Sequence, residues 1–64
     1  MTPRELEVLS FVTRGFTNAE IGAFLDISPH TCATHVQRML AKTGTANRAE
    51  LTAYAVRHSL VQSG

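Results

Sequence analysis

Apolar residues recur at helical spacing in four separate stretches of the chain, each opened by a residue suited to capping a helix. Val8, Leu9 and Val12 form the first stripe, with Leu6 and Phe11 on flanking faces. Ile21, Phe24 and Leu25 cover one side of a second, shorter stretch, and Ile27 plugs the turn that follows. Gly22 interrupts that stretch at roughly 1 kcal/mol relative to Ala, which predicts close approach by a neighbouring helix. Cys32, Val36, Met39 and Leu40 fall at i, i+4, i+7 and i+8, a clean inward stripe. Leu51 and Ala55, with Leu60 and Val61 beyond them, complete the set.

The helix starts are written locally. Thr2-Pro3-Arg4-Glu5 and Thr17-Asn18-Ala19-Glu20 both place a hydroxyl cap three residues before a Glu that can reach back to the cap N–H. Asn47-Arg48-Ala49-Glu50 is an Asn-capped version, and Ser28-Pro29 joins a cap to a proline. Breaks fall at Gly15, Asp26-Ile27 and Gly44, with the two glycines placed as helix C-terminal residues. No stretch alternates as a strand does. The expectation is an all-α fold, a four-helix bundle containing a helix-turn-helix, with helices over about 3–14, 18–25, 29–42 and 48–58.

With 64 residues there is room for one domain, taken as 1–64, around a small core. The size suits a piece of a longer protein as well as a complete chain. A charged fraction of 17% and an apolar fraction of 44% fit a globule rather than a disordered tail. The net charge of +1 is a weak basic footprint, but its distribution is uneven. Glu5, Glu7, Glu20 and Asp26 precede residue 27, whereas Arg38, Lys42, Arg48 and Arg57 follow it. A single cysteine excludes an internal disulfide and fits a reducing cytosol. No apolar run approaches the roughly 18 residues of a membrane helix, so no membrane partner is expected.

Projecting the third helix at about 100° per residue puts Thr34 opposite the apolar stripe. His30, Gln37, Arg38 and Ala41 surround it, with Thr31, His35 and Lys42 on one edge and Ala33 on the other. This face carries hydroxyls, an amide, a guanidinium and imidazoles, and no carboxylate. Such donors read base edges or hold phosphates. The helix starts at Thr17 and Ser28 add free N–H groups and positive dipole ends, a second source of phosphate contact.

Thr2-Pro3-Arg4-Glu5, Gly15-Phe16-Thr17-Asn18-Ala19-Glu20-Ile21, Ile27-Ser28-Pro29-His30-Thr31, His35-Val36, Lys42 and Asn47-Arg48-Ala49-Glu50 stand at spacings that resemble the LuxR-type (GerE-like) helix-turn-helix domain. The resemblance implies a bacterial transcription regulator acting on double-stranded DNA at the nucleoid, in the cytoplasm. It implies that the third helix enters the major groove and that the domain follows a receiver or sensor domain. Thr31, Thr34, Gln37, Arg38 and Lys42 then match DNA-contacting positions, with Thr17 and Ser28 as phosphate-side caps. It also implies a weak homodimer through the fourth helix, whose outward side here is Ala53, Tyr54 and Arg57. Ala19 and Ala33 stand where the family commonly has a basic residue, and Thr43 where it commonly has Leu.

The remaining chemistry is sparse. Cys32 lies in the inward stripe and reads as a small buried hydrophobe. His30 and His35 are off the i,i+4 register, and no further Cys stands at ligand spacing, so neither a metal nor a cofactor is expected. Glu5 lies on the packed face as well as in a capping box, so it reads either as a cap alone or as a partly buried carboxylate bridging to a basic residue of a later helix, with Arg48 and Arg38 as candidates. Nothing resembles a phosphate loop, paired carboxylates or a nucleophile with its base, so the chain is not read as an enzyme. The competing class is a protein-interaction or dimerisation module with weak or no DNA affinity, consistent with the low net charge.

Overall fold

A computed structural model describes residues 1–61 and contains α1 (Pro3–Thr13), α2 (Asn18–Leu25), α3 (Pro29–Thr43) and α4 (Arg48–Arg57). All four sequence-predicted helices are present, with ends within a residue of the expected ones. The caps work as their residue types dictate. Thr2 accepts the Glu5 N–H and Glu5 takes the Thr2 N–H; Thr17 and Glu20 repeat the exchange. Ser28 accepts from Thr31 N–H, and Asn47 from Glu50 N–H. The Glu50 carboxylate differs from the expected box, because it takes the N–H of Ala46, one residue ahead of the cap, at 2.8 Å.

α3 packs against each of the other three helices, and α1 also packs against α4. Val8, Leu9, Val12, Ile21, Cys32, Val36, Met39, Leu51 and Ala55 make the buried core. Phe11, Phe16, Leu25, Ile27, Leu40 and Val61 close its edges. Two expectations fail at those edges. Leu60 is 37% exposed, and Phe24 is 66% exposed. Periodicity placed Phe24 within the apolar arc of α2, but α2 is only two turns long and no further element among the described residues covers that rim. The ring instead stacks on Phe11 at 5.3 Å and meets Phe16 edge-on at 5.5 Å.

The turn between α2 and α3 is built from main chain. Asp26 takes the left-handed conformation (φ 57°, ψ 45°), and the Ile27 N–H reaches back to the Gly22 carbonyl at 3.0 Å. A Cβ on Gly22 would lie 2.5 Å from the Ile27 carbonyl oxygen. Gly22 therefore admits the returning turn rather than, as expected, the side of another helix. Thr43, which stands where the resembled family commonly has Leu, donates to the Met39 carbonyl at 2.7 Å and pairs with the Thr45 hydroxyl at 2.8 Å.

Glu5 is 3% exposed and has a partner, but a different one from either expected. Its carboxylate lies 2.8 Å from the Lys42 ammonium, across α1 and the end of α3. Lys42 sits on the edge of α3 that faces α1, whereas Arg38 points outward. Arg48 is committed elsewhere: its guanidinium donates to Asn18 Oδ1 at 2.9 Å and to the Phe16 carbonyl. Those two bonds tie the start of α4 to the first residue of α2 and to the loop before it.

Candidate nucleic-acid interface

The core claims one side of α3 through Cys32, Val36 and Met39, and this leaves the opposite side to solvent. His30, Thr31, Gln37, Arg38 and Ala41 are exposed there, and Thr34 and Ala33 are half-buried. The structure thus brings His30, Thr31, Thr34, Gln37 and Arg38 onto one continuous face. Lys42 and His35 lie toward α1 instead. Lys42 reaches solvent with its ammonium already on Glu5, and the buried Nδ1 of half-buried His35 has no hydrogen-bond partner among the described residues.

Hydrogen bonds within α3 decide what this face offers. The Thr34 hydroxyl donates to the His30 carbonyl at 3.1 Å, a common i−4 back-bond that uses up its proton. The Ser28 hydroxyl donates to Thr31 Oγ1 at 2.9 Å while accepting the Thr31 N–H at 3.0 Å. Among the described residues the donors left uncommitted on this face are then Gln37, Arg38, His30 and the Thr31 hydroxyl, which accepts from Ser28 and keeps its own proton. α3 is also the one described helix without an acid in its first turn, so the positive end of its dipole is not offset locally. At α2, by contrast, the Glu20 carboxylate caps the Thr17 N–H at 2.8 Å and partly neutralises that end.

One hollow borders this face, and a second lies along α4. The first, about 530 Å³, lies between α3 and the start of α4, lined by Ala33, Gln37, Asn47 and Arg48 among others. The second, about 240 Å³, is lined by Thr45, Glu50, Ala53, Tyr54 and Arg57 and so gathers the three residues expected at a dimer contact. Tyr54 is half-buried and stacks on His58 with ring centroids 4.2 Å apart. Part of its surface is therefore used within the chain.

Sequence reasoning missed three features. The Asn18–Arg48 link carried no local signal, because its partners lie 30 positions apart. Cys32 was read correctly as buried, but its thiol also points at Asn18 Oδ1, 3.5 Å away, and burial pushes its pKa up. The third feature is the cluster of Phe11, Phe16 and Phe24, with the Arg14 guanidinium 5.0 Å from the Phe11 ring centre. Among the described residues no three His, Cys, Asp or Glu side chains gather as a metal site would require, and no helix is long and apolar enough to cross a membrane.

Comparison with known proteins bears directly on this arrangement. The sequence profile described as bacterial regulatory proteins, luxR family, matches residues 1–55. A probable transcriptional regulator, ycf29 of Cyanophora paradoxa, is 45% identical over 60 residues, covering 94% of this chain and 29% of that protein. A response regulator of Synechocystis sp. is 43% identical over 61 residues, covering 95% of the chain and 26% of the relative. The response regulator protein VraR of Staphylococcus aureus is 36% identical over 62 residues, covering 97% and 30%. The chain spans less than a third of the length of these relatives.

Proposed function

The chain belongs to the luxR family of bacterial regulatory proteins and is a DNA-binding module of transcription regulation; from that premise we propose that α3 is the helix that enters the major groove. The observation that carries this reading is the outward side of α3, where Gln37, Arg38 and His30 stand free and no carboxylate occurs between Asp26 and Glu50. Gln suits adenine, and Arg suits guanine or a phosphate. Thr31 and Thr34 sit beside them at the N-terminal end of the helix, the end that approaches bases in helix-turn-helix complexes. Ser28 and Thr17 serve as phosphate-side caps. Ser28 is the stronger of the two, since Glu20 opposes an anion at Thr17. His35 and Lys42 lie at the margin, with Lys42 contributing less than a free lysine because Glu5 already holds it.

In the whole protein, a receiver or sensor domain precedes this module, as the description of the relatives as response regulators supports. Homodimerisation through Ala53, Tyr54 and Arg57 of α4 would bring two copies of α3 to paired half-sites. The working compartment is the cytoplasm, at the bacterial nucleoid. Residues 1–61 share one core, which supports treating the chain as a single domain.

Fluorescence-anisotropy titration against duplex DNA at two salt concentrations tests the central claim, with the Gln37→Ala/Arg38→Ala variant as control. Affinity that falls steeply with salt and is abolished in the variant is the expected result. Absence of binding at low salt would overturn it. It would also favour the protein-interaction reading, which has one specific observation behind it, the exposed Phe24 and its aromatic neighbours.

A further inference from the structure

We infer that α3 selects an adenine flanked by thymines, with Gln37 on the adenine edge and the methyl groups of Ala33, Thr34 and Ala41 against thymine 5-methyls. This rests on the reading of α3 as the groove helix and specifies what that helix reads. Ala33, Gln37 and Ala41 follow one another at four-residue steps, and Thr34 lies three positions before Gln37, so all four share one face. An exposed primary amide therefore stands among three methyl-bearing side chains.

Thr34 belongs with the methyls because of its hydrogen bond. Its proton is spent on the His30 carbonyl at 3.1 Å, which turns the oxygen toward the helix and leaves the γ-methyl as its outward group. Without that bond the hydroxyl would serve as a donor for any base, and the preference would vanish. Each base has a distinct requirement in the major groove. Cytosine presents the single N4 donor, which would engage only the oxygen of the Gln37 amide and leave its NH2 unpaired. Guanine asks for a bidentate cation, which Arg38 supplies away from this cluster. Adenine takes the two-pronged amide, and thymine alone offers a methyl for apolar contact. Ala33 strengthens the case, since it borders the hollow shared with Gln37 and leaves that edge open to a base rather than filling it with a long side chain.

The decisive experiment selects bound duplexes from a random-sequence pool, then remakes the selected duplex with deoxyuridine in place of thymidine. Uracil differs from thymine only in lacking the 5-methyl, so the probe isolates that group. Wild type should bind the uracil duplex about fourfold more weakly for each thymine methyl that α3 covers. Thr34→Ser keeps the hydroxyl and its back-bond and removes only the methyl, so it should bind the thymine duplex at the reduced level and show a smaller drop on going to uracil. Gln37→Ala should bind the selected duplex about tenfold more weakly and gain tolerance at the adenine position. Equal binding of thymine and uracil duplexes by wild type, or an unchanged thymine preference in Thr34→Ser, overturns the inference while α3-dependent binding still stands. Failure to bind any duplex overturns the groove-helix reading itself, and the inference with it.

Discussion

Replacing Glu5 with Gln keeps an acceptor for the Thr2 N–H and removes only the charge that faces Lys42. In the folded chain the Lys42 ammonium, 2.8 Å away, and the Thr2 N–H together lower the Glu5 carboxyl from 4.5 to about 2. At full value such a lowering is linked to about 3 kcal/mol of stability at neutral pH. Lys42 is 48% exposed, however, and solvent screens the pair, so about 1.5 kcal/mol is the expected loss in Glu5→Gln. In a domain this small that corresponds to a fall in Tm of roughly 10 °C. The sign fixes the pH window. A carboxyl held below its ordinary value stabilises the fold above about pH 4.5, and the contribution disappears as pH falls toward 2. Urea unfolding of wild type and Glu5→Gln from neutral pH into strong acid should therefore give curves that converge in acid, with Lys42→Met closing the double-mutant cycle. A gap that stays constant with pH, or a loss at neutral pH below about 0.3 kcal/mol, would refute the ion-pair account and leave Glu5 as a cap alone.

Gly22→Ala should destabilise by about 1–3 kcal/mol in urea melts, because the new methyl meets the Ile27 carbonyl and outweighs the roughly 1 kcal/mol of helix propensity gained. Ala33→Lys should raise affinity for random-sequence duplex and steepen the salt dependence by about 0.9 per protomer in anisotropy titrations, while weakening the preference for thymine at that edge. An unchanged slope would mean that this edge of α3 does not meet phosphate. Arg48→Met should cost about 1–3 kcal/mol by leaving the Asn18 and Phe16 oxygens without their donor, detectable by thermal melting.

What the chain announces locally was legible. Thr2, Thr17, Ser28 and Asn47 mark all four helix starts through bonds that span three residues, and Cys32, Val36 and Met39 identify the buried side of α3 by period alone. Pairings between helices were not. A bridging Glu5 was expected to meet Arg48 or Arg38, but the choice of Lys42 depends on how α1 and α3 rotate against each other, which no single helix records. Phe24 fits the apolar arc of α2 and is exposed all the same, because period identifies a face and not whether another element covers it. At the interface, sequence projection found the outward positions of α3. The state of each group was out of reach, since the Thr34 back-bond and the prior engagement of Lys42 exist only in the assembled fold.

The contact between Gly22 and the Ile27 carbonyl gives the helix-turn-helix an unusual division of labour. At the entry to α3, main chain of α2 meets main chain of the turn with no side chain between them, while Ile21, Cys32 and Asn18 fill the space farther along the two helices. Residues that present themselves to a ligand can then be exchanged without retuning the angle at which they are presented. A designer could rewrite positions 30, 33, 34, 37, 38 and 41 as an interchangeable cassette and leave the frame untouched. The same rewriting attempted at Gly22 would tilt every one of those positions at once.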